Sequence, residues 1–243
     1  LRTYPFGPAL SHVLGYVAQA NEKELQANTQ LALGDMIGKQ GVEKTFEQKL
    51  RGEKGLKHLE INAQGRTLTS HILKPPEPGS SISLSLDLKL QQFIWDTLGS
   101  KTGSVVVMEP ESGQILALVS KPGYNNNLFV QGLDQTTWDR LLTDPEHPLQ
   151  NRTIQSAYPP GSVFKLAVAG CALAESELTS STQFYCPGQY RLGRGVFRCW
   201  KNRGHGRLDM EQAIAQSCDV YFYHLGEKLG IETLSQFSHQ AGF

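Results

Sequence analysis

The stretch Lys74-Pro75-Pro76-Glu77-Pro78-Gly79-Ser80-Ser81 constrains this chain more than any other. Proline has no backbone N–H and a locked φ, so this segment can neither continue a helix nor sit in a central strand. It predicts a linker that divides the 243 residues into a domain of 1–80 and a second of 81–243. Ahead of it, Val42, Phe46 and Leu50 recur every four residues and Gly52 follows, which predicts a short helix over Val42–Arg51. Local alternation such as His58-Leu59-Glu60-Ile61 predicts strand within Lys57–Leu73. After the linker, Asp87 is placed to cap a helix with Leu90, Phe93, Ile94 and Leu98 on one face and Gly99 as its stop. Gly103–Glu109 and Gln114–Ser120 read as a strand pair around the turn Pro110-Glu111-Ser112-Gly113. Residues 121–161 read as loop-rich, with Asn125-Asn126-Asn127 and several prolines, and Asp134, Asp139 and Asp144 read as loop or cap positions. Leu166–Ala174 reads as a buried helix, and Asp209 with Gln212 as a capping box opening another. Leu225–Phe243 reads as two helical stretches around Gly230. Strands early and helices late predict an α+β fold.

Composition works by exclusion. Apolar residues make up 39% of the chain, enough for a packed core. The 23 basic and 23 acidic side chains leave no positive excess, so no nucleic-acid partner is expected. The longest apolar run, Leu166–Ala174, is far short of the roughly 20 residues of a membrane helix. The chain begins at Leu1 without a signal-peptide layout, and the natural protein is expected to extend upstream.

The chemistry concentrates in Tyr158-Pro159-Pro160-Gly161-Ser162-Val163-Phe164-Lys165. The prolines and Gly161 force a turn and the apolar run after them reads as helix, so Ser162 stands at a helix N-terminus with Lys165 one turn on. A serine hydroxyl is a weak nucleophile until a base takes its proton, and a lysine amine can be that base. Backbone N–H groups at the helix start can stabilise an oxyanion. With 18 serines and 13 lysines, chance supplies about one S-x-x-K pair. The spacing alone is equally served by Ser162 as a cap and Lys165 as a solvated side chain, and it is the proline-proline-glycine frame that carries more.

That frame resembles the penicillin-binding transpeptidases, whose nucleophile lies in a P-G-S-x-x-K segment opening a helix. Ser217-Cys218-Asp219, 55 residues after Ser162, fits their second motif, S-x-N or S-x-D. Val106–Ser120 resembles the strand pair that opens such a domain, and Asn151-Arg152 precedes the nucleophile as in the family. Arg2-Thr3-Tyr4-Pro5, His12-Val13-Leu14-Gly15-Tyr16-Val17 and Gly38-Lys39-Gln40-Gly41-Val42-Glu43-Lys44 resemble the non-catalytic module of class B enzymes, and the combination is most similar to the enzymes of cell elongation and rod shape.

The resemblance implies a mixed α/β, pedestal-like dimerisation module followed by the first part of a transpeptidase domain, an antiparallel sheet with a helical subdomain. It implies that Ser162 attacks the penultimate D-Ala carbonyl of a peptidoglycan stem peptide and that Lys165 is the base. Ser217 then relays protons toward the leaving group, and Asp219 stands where many relatives have Asn. A neighbouring stem peptide's amine resolves the acyl-enzyme, β-lactams acylate the same serine, and no cofactor is needed for the chemistry. Implied partners are a membrane glycan polymerase and a rod-shape scaffold protein. The implied location is the periplasmic face of the bacterial inner membrane, with an N-terminal anchoring helix outside this chain. The family's third motif, K-[S/T]-G, is spelled by Lys101-Thr102-Gly103, but this stands before Ser162 and reads as an exposed helix-to-strand turn. The functional triad is expected beyond Phe243, which would leave this chain an incomplete piece, inactive alone. A D,D-carboxypeptidase or β-lactamase shares the serine and lysine but has little use for the long N-terminal module. A non-enzymatic β-lactam sensor or scaffold is the competing class.

Of the four cysteines, Cys171 falls within the apolar helix and reads as a buried small hydrophobe. Cys186, Cys199 and Cys218 bracket His205; three thiolates and an imidazole make a closed tetrahedral zinc set. Their spacing is not that of a compact zinc finger, and a Cys186–Cys199 disulfide or free thiols remain alternatives. The resemblance favours structural zinc, since some elongation-type homologues have ligands at these positions beside the active site, some with Asp in place of Cys. Trp95, Trp138 and Trp200 read as packing residues.

Overall fold

The structure, a computed structural model, describes residues 2–243 and divides into two compact units, Leu1–Ser156 and Ala157–Phe243. Both mix helices with two-stranded antiparallel sheets, the α+β class expected. No described helix is long and apolar enough to cross a membrane.

In the first unit a 3-10 turn leads into α1 (Ser11–Leu14), and β1 (Val17–Gln19) pairs with β2 (Met36–Gly38). Between them lies α2 (Glu22–Ala27), opened by a reciprocal Asn21–Glu24 capping box. The helix expected over Val42–Arg51 is two helices, α3 (Gly41–Thr45) and α4 (Glu47–Arg51), broken where Phe46 leaves helical geometry. The alternating stretch after them is a hairpin of β3 (Leu56–Ile61) and β4 (Thr67–Lys74), exposed along its whole length. The proline segment is tied down at both edges. Glu53 and Glu77 exchange backbone hydrogen bonds at 2.9 and 3.0 Å, and Ser80 N donates to Lys49 O at 2.8 Å. Gly79 is required there, because a Cβ would stand 2.2 Å from Leu50 O.

Asp87 caps α5 (Leu88–Thr97) as expected, but Phe93 is 66% exposed and the fully buried residue of the helix is Gln91. Its amide donates to Ala9 O and Leu118 O and accepts from Leu118 N, so one polar side chain ties the start of the chain to the sheet. That sheet is β5 (Gly103–Met108) with β6 (Ile115–Lys121). Two helices interrupt the stretch expected as loop-rich: α6 (Asn126–Gln131), capped by Asn125, and α7 (Gln135–Thr143), capped by Asp134. Asn126 and Asn127 bond back to Ser11, Gly15 and Tyr4. The N-terminal segment is thereby packed into the same compact unit as residues 88–152, a unit that runs to Ser156.

In the second unit a 3-10 turn, Gly161–Val163, opens α8 (Phe164–Glu175). Four short strands follow: β7 (Phe184–Cys186), β8 (Gln189–Leu192), β9 (Gly195–Arg198) and β10 (Gly206–Leu208), with β7 paired to β10 and β8 to β9. Next come α9 (Met210–Ala215), with the expected Asp209–Gln212 capping box, and α10 (Asp219–Gln240), which bends where Gly230 takes φ +75°. The core joins Val168, Ala169, Cys171 and Ala172 of α8 to Val220, Tyr221 and Leu225 of α10. The α8 helix is buried on that side alone, with Leu166 and Leu173 more than half exposed.

His12 is buried in the first unit, its Nε2 3.3 Å from Pro122 O, its ring edge-on to Tyr124. Burial, reinforced by the Arg152 charge, holds its pKa below the usual imidazole value of 6.5, despite the opposing backbone carbonyls of Pro122 and Pro148. The unfolded chain therefore binds this proton first, and stability is lost as pH falls below about 6.5. Replacing His12 by Gln is expected to flatten part of the fall in thermal midpoint between about pH 7.5 and 5, as read by calorimetry. An unchanged slope would show that His12 is not one of the groups responsible.

Candidate active site and metal centre

The proposed nucleophile sits where the sequence implied. Gly161 supplies a left-handed step, φ +57°, that turns the chain from the prolines into the helix. Ser162 is exposed in that turn, and Lys165 lies in the first turn of α8.

The partner residues come from the junction of α9 and α10. There Ser217 N bonds Ile214 O at 3.0 Å and Cys218 N bonds Ala213 O at 2.9 Å. This is the paired-bond close of a helix C-terminus, in which the residue after the cap is left-handed and usually glycine. Here it is Ser217, with φ +50°. A side chain in that conformation costs about 1 kcal/mol or more.

The cost places a hydroxyl between nucleophile and lysine. Ser217 Oγ donates to Ser162 Oγ at 3.0 Å. Lys165 Nζ donates to Ser217 Oγ at 3.0 Å, to Ser217 O at 2.9 Å and to Asp219 Oδ1 at 2.6 Å. Three acceptors account for all three hydrogens of an ammonium. No direct Lys165–Ser162 hydrogen bond exists among the described residues, so the connection runs through Ser217. With Lys165 as a free amine the same two bonds can reverse: Ser162 donates to Ser217, Ser217 donates to Lys165, and the Ser162 oxygen becomes nucleophilic. Beside the lysine opens an apolar cavity of about 450 Å³ lined by Phe164, Val168, Phe222 and Leu234.

The second cluster adjoins the first. The ligand atoms of Cys186, Cys199, His205 and Cys218 all lie within 4.8 Å of one another. His205 Nδ1 is 3.6 Å from Cys186 Sγ and 3.5 Å from Cys199 Sγ. A tetrahedron with Zn–S of about 2.3 Å and Zn–N of about 2.05 Å has S···N edges near 3.6 Å. All four cysteines are free of disulfides. Glycine makes this convergence possible. Gly188 and Gly204 both have positive φ, and a Cβ would meet Asn202 O at 2.2 Å from the first and Cys186 O at 2.1 Å from the second. Burial pushes the Cys218 thiol up to about 12, with Cys186 and Cys199 adding to it. At Cys199 burial acts the same way but is outweighed by backbone N–H groups of Lys201, Asp219 and Val220, which bring that thiol below its usual value. Burial likewise holds His205 toward the neutral imidazole a metal needs. Three crowded sulfurs and a neutral imidazole suit a dication that displaces thiol protons. Four protein ligands leave no open coordination position, so such an ion would hold the fold rather than bind substrate.

Trp200, expected to be a packing residue, is 65% exposed. Its backbone N donates to Asp219 Oδ2 at 3.1 Å and its indole Nε1 to Gln216 O at 3.0 Å. Its position beside Cys199 was the available signal, since a residue next to a clustered cysteine is carried wherever that cysteine goes. Trp95, beneath the Lys121 ammonium at 4.5 Å, and Trp138, edge-on to Phe129, are packing residues as expected. The Lys101-Thr102-Gly103 triad forms the turn between α5 and β5, with Lys101 and Thr102 exposed.

A serine at a helix opening, joined through a second serine to a lysine, is the arrangement found in the penicillin-recognising serine acyltransferases. Residues 103–243 match the penicillin binding protein transpeptidase domain, and residues 1–84 match the penicillin-binding protein dimerisation domain. The chain belongs to the penicillin-binding protein transpeptidase family. It is 40% identical over 250 residues to the peptidoglycan D,D-transpeptidase MrdA of Escherichia coli K12, covering 100% of this chain and 40% of that protein. MrdA of Acinetobacter baumannii is 39% identical over 246 residues, with 37% of its length covered. Among solved structures, penicillin-binding protein PBP2 of Helicobacter pylori in complex with MreC aligns with a TM-score of 0.89 and 36% identity, over 99% of this chain and 46% of that one. Pseudomonas aeruginosa PBP2 in complex with WCK 5153 aligns with a TM-score of 0.87 and 35% identity, over 100% and 51%. The chain thus spans about 40% of the length of the curated relatives.

Ser217 allows a test of its backbone role independent of chemistry. Ser217→Gly and Ser217→Ala both remove the hydroxyl, but only glycine adopts a left-handed φ without strain. The glycine variant is expected to be more stable than the alanine variant by about 1 kcal/mol in denaturant unfolding, the reverse of their order within a helix. Equal stability, or alanine the more stable, would contradict the observed turn.

Proposed function

We propose that the natural protein carrying this chain is a peptidoglycan D,D-transpeptidase that cross-links stem peptides in cell elongation through an acyl-enzyme on Ser162. The observation that carries this reading is the hydrogen-bonded chain Ser162–Ser217–Lys165–Asp219. Ser162 attacks the D-alanyl carbonyl, its proton passing through Ser217 to Lys165. The proton returns by the same path to the departing D-alanine. The amine of a second stem peptide then takes the acyl group. Asp219, ion-paired to Lys165 and accepting from Trp200, keeps the lysine on Ser217 throughout. β-Lactams acylate the same serine.

The reading extends to the cell envelope: an enzyme at the periplasmic face of the inner membrane, anchored N-terminally, working with a rod-shape scaffold protein and a membrane glycan polymerase. Support comes from the Helicobacter pylori relative, whose structure is a complex with MreC. A further structural relative, 29% identical with a TM-score of 0.83, belongs to a peptidoglycan synthase complex that coordinates polymerisation and cross-linking.

Cys186, Cys199, His205 and Cys218 are proposed to hold a structural zinc ion. A disulfide would use two of the three clustered sulfurs and leave the third beside the imidazole, whereas one ion uses all four groups. The ligands would fasten β7 and the loop after β9 to the residue that caps α10.

Two measurements test these readings. A fluorescent penicillin should label the natural full-length protein and should fail on its Ser162→Ala variant, while a stem-peptide acceptor should yield cross-linked product. Labelling without product would indicate a sensor or carboxypeptidase, and absence of labelling would refute the acyl-enzyme. Protein purified without added zinc should carry about one zinc per chain, and Cys199→Ser should lose both the metal and several degrees of melting temperature. Metal-free protein with a Cys186–Cys199 disulfide would refute the zinc site.

A further inference from the structure

Trp200 is an exposed aromatic fixed at several points, an arrangement that packing does not explain. The residue is mostly exposed, so its burial contributes little. Two directed hydrogen bonds hold it instead. The indole N–H, which can act only as a donor, points at the carbonyl of Gln216, the cap of α9. The backbone N–H points at the Asp219 carboxylate oxygen that Lys165 does not use. The ring also stands edge-on to His205, with centroids 5.3 Å apart.

These contacts straddle one short segment. Gln216 O belongs to the peptide group leading into Ser217, and Asp219 lies two residues beyond. We propose that Trp200 is a positioning residue that grips the Ser217-Cys218-Asp219 segment from both sides and so fixes the Ser217 hydroxyl between Ser162 and Lys165. This rests on the acyl-enzyme reading above. The Gln216–Ser217 peptide is where a left-handed turn in a non-glycine residue would relax. Rotating it toward ordinary backbone would swing Ser217 Oγ away from Ser162. The indole N–H opposes that rotation by holding the carbonyl. The backbone N–H keeps one Asp219 oxygen occupied, so the other stays on Lys165. Trp200 touches no reacting atom in this arrangement and acts through Ser217 and Asp219.

The test uses Trp200→Phe in the natural full-length protein. The variant keeps an aromatic ring and the backbone N–H and removes the indole donor. Stopped-flow acylation by a reporter penicillin separates the acylation rate constant from the prior non-covalent affinity. The rate constant is expected to fall about tenfold to a hundredfold, as displacement of a catalytic group by a fraction of an ångström to an ångström does. The dissociation constant and the metal content should stay within about twofold of the parent. An unchanged rate constant would overturn the proposal, as would a loss that tracks lost metal or lost affinity.

A second measurement is independent of chemistry. Trp200→Phe should cost less stability in a Ser217→Gly background, because glycine needs no support to remain left-handed. Equal costs in the two backgrounds would also overturn the proposal. Failure of the unmodified protein to acylate would count against the transpeptidase reading instead, and the stability comparison would still decide the role of Trp200.

Discussion

The second unit depends on a backbone turn that most sequences avoid. At the close of α9 the chain must reverse quickly enough for Cys218 to cap α10, and the paired-bond turn that does so requires one residue with positive φ. Glycine would accept that conformation without strain but would leave nothing between Ser162 and Lys165. Serine takes it at a cost, and its hydroxyl is bonded to both. The Lys165–Asp219 ion pair, the Ser217 carbonyl contact and the Trp200 hydrogen bonds all converge on this turn. Local strain is sustained because the neighbours on each side over-determine the segment.

The elements that were legible in the sequence share a physical signature within a few residues. Asp87, Asp209 with Gln212, and Gly230 marked their helix boundaries because capping and helix breaking are local events. The proline-glycine frame likewise located the turn that presents Ser162. Four strands around the cysteines escaped notice because each has three or four residues, too few for alternation to register. The α6 and α7 helices were hidden because the side chains that open them, Asn125 and Asp134, serve loops and helix caps equally well in sequence, and here they are caps. Phe93, placed by its spacing on the apolar face, is exposed and Gln91 is buried for a tertiary reason: the α5 helix meets a strand edge, where Gln91 satisfies backbone groups that a phenylalanine would strand. The Val42–Arg51 pattern was right about helix and silent about the break at Phe46.

The site residues were legible in identity more than in arrangement. S-x-x-K and S-x-D name the side chains that the fold brings together, but nothing in the spacing says that Lys165 meets Ser162 through Ser217. The four clustered residues come from one short strand (Cys186), the loop between β9 and β10 (Cys199 and His205) and a helix cap (Cys218), drawn together where Gly188 and Gly204 let backbones approach closely. Two-stranded sheets of this size have little stability of their own. That weakness gives the proposed zinc a physical purpose, since cross-linking them to the cap of α10 would hold Trp200 over the Ser217 turn.

The central claim is the order of the relay, and acylation rates across Lys165→Ala, Ser217→Ala and the double variant test it most directly. If the lysine acts on Ser162 only through Ser217, each single substitution should slow acylation by penicillin about as much as the double does, because either one breaks the same path. If Ser217→Ala kept most of the rate, or the two losses multiplied, Lys165 would have an independent route to the nucleophile and the account would be wrong.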